Sequence, residues 1–114
     1  MPFIAVHTTT ALRAEQKDTI ASELGKIVTL IPNKSESVLM IDISDGHTMY
    51  FAGKKMTRCA FVDVRCYKQA PFENNKAFTE AVFKLLQDVA ELEAGEVYVS
   101  ISELPVWGAK GSLK

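Results

Sequence analysis

Apolar residues recur along this chain with two different periods, and the periods alternate. Pro2-Phe3-Ile4-Ala5-Val6 opens an apolar run, and residues 2–8 read as a first strand. Over residues 13–30 the period lengthens: Ile20, Leu24, Ile27, Val28 and Ile31 fall at helical spacing. Pro32 ends that helix, because it has no amide hydrogen to continue the ladder. Period two returns over residues 38–43, closed by the turn dipeptide Asp45-Gly46. Residues 49–52 read as a short extra strand before Gly53-Lys54-Lys55, and 58–66 as the third main strand. Pro71 and Asn74-Asn75 introduce a second helix over residues 75–92, with Phe78, Val82, Leu85 and Val89 on one face. Residues 97–102 form the fourth main strand, and Pro105-Val106-Trp107-Gly108 starts a closing tail.

Strand, helix, strand therefore occurs twice, in about 50 residues each time. Such a unit implies two parallel strands joined by a right-handed crossover. The connections are too short to separate two domains. The expectation is one α/β domain over residues 1–114, with two β-α-β units sharing a four-stranded mixed sheet. Alternation then sorts the strand residues into two faces. Leu39, Ile41 and Ile43 share a uniformly apolar face with Ala60, Val62, Val64, Val97, Val99 and Ile101. The opposite face mixes Val38, Met40 and Phe61 with Asp42, Asp63 and Arg65, and Tyr98 with Ser100 and Ser102. Two helices cover one face of such a sheet, and the uniform face is the one they suit. Phe3, Met40, Phe61 and Tyr98 on the other face would leave a sizeable apolar patch on a monomer. Its burial against partner subunits, and hence oligomerisation, follows from patterning.

Charge and cysteine usage narrow the classes. The formal net charge is −1 with no basic stripe, so nothing favours nucleic acid. No apolar run approaches the ~20 residues of a membrane span, and no signal-like segment opens the chain, so a cytoplasmic protein is expected. Cys59 and Cys66 are seven apart on one expected strand, hence on opposite faces and unable to pair there. There is no Cys-x-x-Cys, and neither His7 nor His47 stands near a cysteine at ligand spacing, so no metal or redox role is expected. His7, among apolar strand residues, reads as a satisfied structural histidine, and His47 as exposed. Lys54, Lys55 and Arg58 read as a solvated turn.

Position 2 carries the chemistry. Aminopeptidases remove an initiator methionine that precedes a small residue, and proline qualifies. Pro2 would then present a secondary amine at the start of a buried strand. An α-amino group titrates near pH ~8, and desolvation lowers the pKa of a cationic amine. Such an amine is neutral near physiological pH and suited to general base work.

Pro2 on a doubled β-α-β pattern with an oligomeric sheet face resembles the tautomerase superfamily. More narrowly, the chain is similar to the macrophage migration inhibitory factor and phenylpyruvate tautomerase branch. The segment Ile31-Pro32-Asn33-Lys34-Ser35-Glu36-Ser37-Val38-Leu39-Met40 resembles the branch's stretch that places a lysine between helix and second strand. Glu96-Val97-Tyr98-Val99-Ser100 resembles its strand bearing an aromatic hydroxyl toward the neighbouring site. Trp107-Gly108 followed by Gly111-Ser112 resembles its ending, and the match runs the whole length.

The resemblance implies a homotrimer with each site between two subunits and Pro2 at its base. It implies cofactor-free keto–enol proton transfer on an α-keto acid such as phenylpyruvate. Lys34 would supply a cation for the carboxylate or enolate, and the backbone N–H near Tyr67 a further donor. Tyr98 and Ser100 would come from a neighbouring subunit, and Trp107 would wall the apolar side. Several positions depart from the pattern. Val62 stands where a Cys-x-x-Cys would need its second cysteine, and Ser100 replaces an asparagine. Ala109 and Lys110 replace an aromatic and an asparagine, and the last residue is Lys114 rather than an aromatic. Rival readings are a cytokine-like binding protein with vestigial catalysis, exported without a signal, and dehalogenation or decarboxylation of a small acid. A monomeric structural module is the third alternative.

Overall fold

The computed structural model describes residues 1–114. Four long strands carry it: β1 (Pro2–Thr8), β2 (Met40–Ser44), β5 (Ala60–Tyr67) and β6 (Val97–Leu104). Between them run α1 (Ala14–Ile27) and α2 (Phe72–Ala90), with two short hairpins described below. The sheet order is β2-β1-β5-β6. β1 pairs with β2, and β5 with β6, in parallel, as each crossover unit demands. The two units meet antiparallel along β1 and β5, giving the expected mixed sheet.

The uniform strand face forms the core with the helices. Ile4, Val6, Val62, Val64 and Cys66 meet Ile20, Leu24 and Val28 on one side and Phe78, Val82 and Leu86 on the other. Phe78 and Val62 are fully buried. Leu39, Ile41, Ile43, Val99 and Ile101, on the two edge strands, pack around this cluster while remaining partly accessible. Both cysteines are buried and free, with Cys59 just before β5 rather than inside it.

Several boundaries differ from those expected, each for a local reason. Helical geometry tightens to a single 3-10 turn at Val28–Leu30, and Ile31 is already extended, since a residue before proline avoids the helical region. α2 starts at Phe72 because Pro71 itself takes the cap position, its carbonyl accepting the N–H groups of Asn74 and Asn75. It ends at Ala90 with Glu91 left-handed at φ 56° and Leu92 N–H returning to Leu86 O. Val38 lies in a 3-10 turn over Glu36–Val38, not in the second strand, which begins at Met40. β6 continues to Leu104 because Cys66 and Tyr67 of β5 remain available as partners for Glu103 and Leu104. Two hairpins complete the chain: β3 (Tyr50–Phe51) with β4 (Lys54–Lys55), and β7 (Gly108–Ala109) with β8 (Ser112–Leu113). The tail is therefore a hairpin and not an irregular end.

The face away from the helices is a regular grid. Met40, Phe3, Arg65 and Ser102 form one row across the sheet, and Asp42, Ala5, Asp63 and Ser100 the next. Ser44, His7, Phe61 and Tyr98 form the third. His7 is thus not a core histidine: odd positions of β1 point away from the helices. Its ring stacks on His47 at 4.8 Å, and Nε2 lies 3.9 Å from Asp42.

Candidate active site

Strand direction brings distant residues to one end of the sheet. β1 begins where its parallel partner β2 begins, and where β5 and β6, running the other way, end. Pro2 therefore stands level with Cys66, and Cys66 with Glu103. The loop entering β2, the segment leaving β5 and the hairpin following β6 all reach this corner. They contribute Lys34, Tyr67 and Trp107.

Pro2 is buried at the first position of β1. The turn over Ile31–Lys34, with Asn33 left-handed at φ 64° and Lys34 N–H bonded to Ile31 O, delivers Lys34 to the same place. Its ammonium donates to Tyr67 O at 2.8 Å and is half-buried. Tyr67 N–H in turn donates to Met1 O at 3.2 Å, so the carbonyl oxygen of the peptide group that acylates Pro2 occupies this amide. Glu103 holds the segment in place from below, accepting Ala70 N–H at 2.7 Å, while Lys68 N–H bonds Leu104 O at 2.9 Å.

Electrostatics at this corner disfavour positive charge on a terminal amine. Burial, and then the Lys34 cation, lower the pKa of the Met1 ammonium below its ordinary value, against a smaller opposing influence of Cys66. Burial also pushes the Cys66 thiol up, which keeps it protonated and unreactive.

A cleft of about 780 Å³ opens at Pro2, walled by Phe3, Met40, Arg65, Leu104 and Trp107, with Lys110 at its rim. Of the residues expected at a site, Pro2 and Trp107 line this cleft; Lys34 and Tyr67 do not, and are tied to it through the Tyr67 N–H bond to Met1 O and the Lys34 bond to Tyr67 O. Tyr98 and Ser100 do not reach it within one chain. Tyr98 is level with Phe61 in the row farthest from Pro2, its ring tilted against Phe51 at 5.3 Å. Ser100 sits beside Asp63 on the open face. Val38, Met40, Arg65 and Leu104 were not singled out in advance as site residues. Arg65 and Phe3 could have been, since alternation places both on the open face level with the strand start. No group of three or more His, Cys, Asp or Glu side chains is arranged to hold a metal ion. No helix is long and apolar enough to cross a membrane.

A family profile described as macrophage migration inhibitory factor (MIF) matches residues 1–113. The chain belongs to that family. The MIF fold is shared with solved structures of low sequence identity. Leishmania major MIF2 superposes with a TM-score of 0.90 at 20% identity, covering 100% of this chain and 97% of that one. A MIF-like protein from Entamoeba histolytica gives 0.86 at 23% identity, covering 99% and 98%. Pt0534, solved after inactivation by 2-oxo-3-pentynoate, gives 0.84 at 19% identity, covering 96% and 93%. No curated protein sequence matches the chain. The MIF-family assignment and the tautomerase-superfamily fold thus agree with the mixed sheet and helices described above.

Proposed function

We propose that this MIF-family chain is a keto–enol tautomerase acting on phenylpyruvate-type α-keto acids, with Pro2 as general base and acid once Met1 has been removed. The observation that carries this reading is the convergence at the strand start: an amine disfavoured as a cation, beside Lys34 and the Tyr67 amide. With Met1 gone, the Pro2 nitrogen becomes the terminal amine in the same surroundings, and the Tyr67 N–H loses its acceptor.

The chemistry follows from those groups. Neutral Pro2 takes a proton from the carbon next to the keto group. The C–H electron pair becomes the new C–C double bond, and negative charge moves onto the carbonyl oxygen. Lys34 uses one N–H on Tyr67 O and keeps two for the substrate carboxylate or that oxygen. The Tyr67 N–H is the neighbouring donor. Pro2 then returns that proton to the oxygen, which completes the enol and regenerates the neutral amine; in the reverse direction Pro2 takes the enol proton and, once protonated, delivers it to carbon. Trp107 walls the apolar part of the cleft. The inactivator of Pt0534 is itself a 2-oxo acid, which supports this substrate class.

The site is completed in a homotrimer, in which Tyr98 and Ser100 arrive from a neighbouring subunit. Exposed Met40 (69%), Tyr98 (59%) and Phe61 (38%) on the open sheet face support assembly through that face. The deciding experiment is phenylpyruvate ketonisation by protein shown by mass to begin at Pro2, run beside Pro2→Ala. Loss of about 10²–10⁴-fold in kcat/KM in the variant is expected. No activity from the intact Pro2 protein overturns the reading and leaves binding as the function.

A further inference from the structure

The cleft is more cationic than a phenyl ring requires. Arg65, Lys110 and Lys114 line it, and no acidic side chain does. Arg65 is partly satisfied, held to Asp63 at 3.0 Å and lying over the Phe3 ring at 5.9 Å. Lys110 and Lys114 take part in none of the chain's ion pairs. Two cations without carboxylate partners at the mouth of one concave site attract an anion and hold it better than either does alone.

The placement of Lys110 is unusual in backbone terms as well. It occupies the tip of the β7–β8 hairpin at φ 53°, followed by Gly111 at φ 79°. Two successive left-handed residues make the tight turn that matches strand twist, and asparagine or glycine fills the first position without strain. A lysine there carries steric strain, and it presents its side chain at the cleft rim. Reciprocal hydrogen bonds between Trp107 and Lys114, N–H to carbonyl at 3.2 and 2.8 Å, anchor the hairpin base and fix where the tip stands.

We propose that the cleft selects α-keto acids bearing a second carboxylate at the end remote from the keto acid, with Lys110 and Lys114 as its specificity-determining cations and Arg65 behind them. The inference rests on the tautomerase reading for the position of the first carboxylate, at Lys34 and Pro2. The second carboxylate then lies toward the hairpin, whose residues Lys110 and Lys114 line the cleft. The catalytic proton transfer is unchanged; only the identity of the preferred substrate is.

The test compares phenylpyruvate with its para-carboxylate, which adds one charge to the same ring. Protein beginning at Pro2 should show a kcat/KM about five- to tenfold higher for the para-carboxylate at low salt, the scale of a pair of partly exposed ion contacts. In a Lys110→Asn, Lys114→Gln variant the ratio should fall to about one. High salt should have the same effect. Asparagine keeps the left-handed turn, so the variant retains its hairpin. Equal or lower kcat/KM for the para-carboxylate overturns the inference while leaving the tautomerase reading intact. If neither compound is turned over, the tautomerase reading fails, and titration of Trp107 fluorescence decides the inference separately. Trp107 is the chain's single tryptophan and lines the cleft. Tighter quenching by the para-carboxylate than by phenylpyruvate, lost in the double variant, upholds the selection; equal quenching overturns it.

Discussion

The two faces of the sheet are made from the same strands, one residue apart, and they do different work. On the covered face Ile4, Val62 and Val64 are sealed under α1 and α2 with essentially no exposure. On the open face Met40, Phe61 and Tyr98 are of similar bulk yet stand in solvent in the single chain. The covered face is held by contacts the chain makes with itself, so its residues answer to packing. On the open face the chain's own cover is partial, Phe51 against Tyr98 and His47 against His7, so Met40 and Tyr98 stay exposed. The chemistry lies at the end of the sheet where the faces meet, with Pro2 belonging to the buried side and Arg65 to the open one.

That contrast is sharpest in stability. Phe78→Ala should cost about 3–5 kcal/mol in urea unfolding, because it empties a fully buried site. A similar cost for Met40→Ala in the dissociated chain would break the distinction between faces; the expected value is within about 0.5 kcal/mol. Next in size is Lys34→Ala, which should lower kcat/KM for ketonisation by about 10²-fold through loss of an oxyanion partner. The same variant should move the acid limb of the pH profile upward. Burial, and then Lys34, lower the pKa of the Met1 ammonium; the same cation beside a Pro2 amine acts in the same direction, so its removal delays formation of the neutral base as pH rises.

Phe61→Glu places a charge in the middle of the open face and should raise the concentration needed for assembly by at least about tenfold. Sedimentation would show a shift to single-chain mass with unchanged far-UV circular dichroism. Assembly that survives this change would mean that another surface joins the subunits. The smallest effect belongs to the end of the sheet opposite Pro2. The Leu12 amide, first, and then Lys17 hold the Asp45 carboxyl below its ordinary value. A depressed carboxyl contributes stability above the unfolded pKa of ~3.9 and loses it as pH falls through the folded value. The difference in stability between the parent chain and Asp45→Asn should accordingly be present at neutral pH and shrink as acid titrates the folded carboxyl.

Element type and order were readable from residue pattern, because burial against a helix imposes period two on strands and a longer period on helices. Pro2, Lys34 and Trp107 were readable as candidates from residue type and from family resemblance. The hairpin at 108–113 was not, since Lys110-Gly111 lacks the asparagine that usually announces such a turn. Val38 was misassigned because alternation alone cannot distinguish a strand's first residue from a single 3-10 turn before it. Arg65 was placed on the correct face but not at the cleft, because its position along the strand gains meaning only from register with Pro2 and Phe3.

By itself the sequence determined which strand neighbours share a face, for that depends on spacing along one chain; how deeply each is buried followed from its strand's place in the sheet. It also placed a proline at position 2, at the head of the first strand. Only the tertiary structure decided that Pro2, Trp107 and Lys110 line one cleft, and that Tyr67 bonds both Lys34 and the Met1 carbonyl beside it. Convergence depends on strand direction and register between segments up to a hundred residues apart, and no local period encodes it.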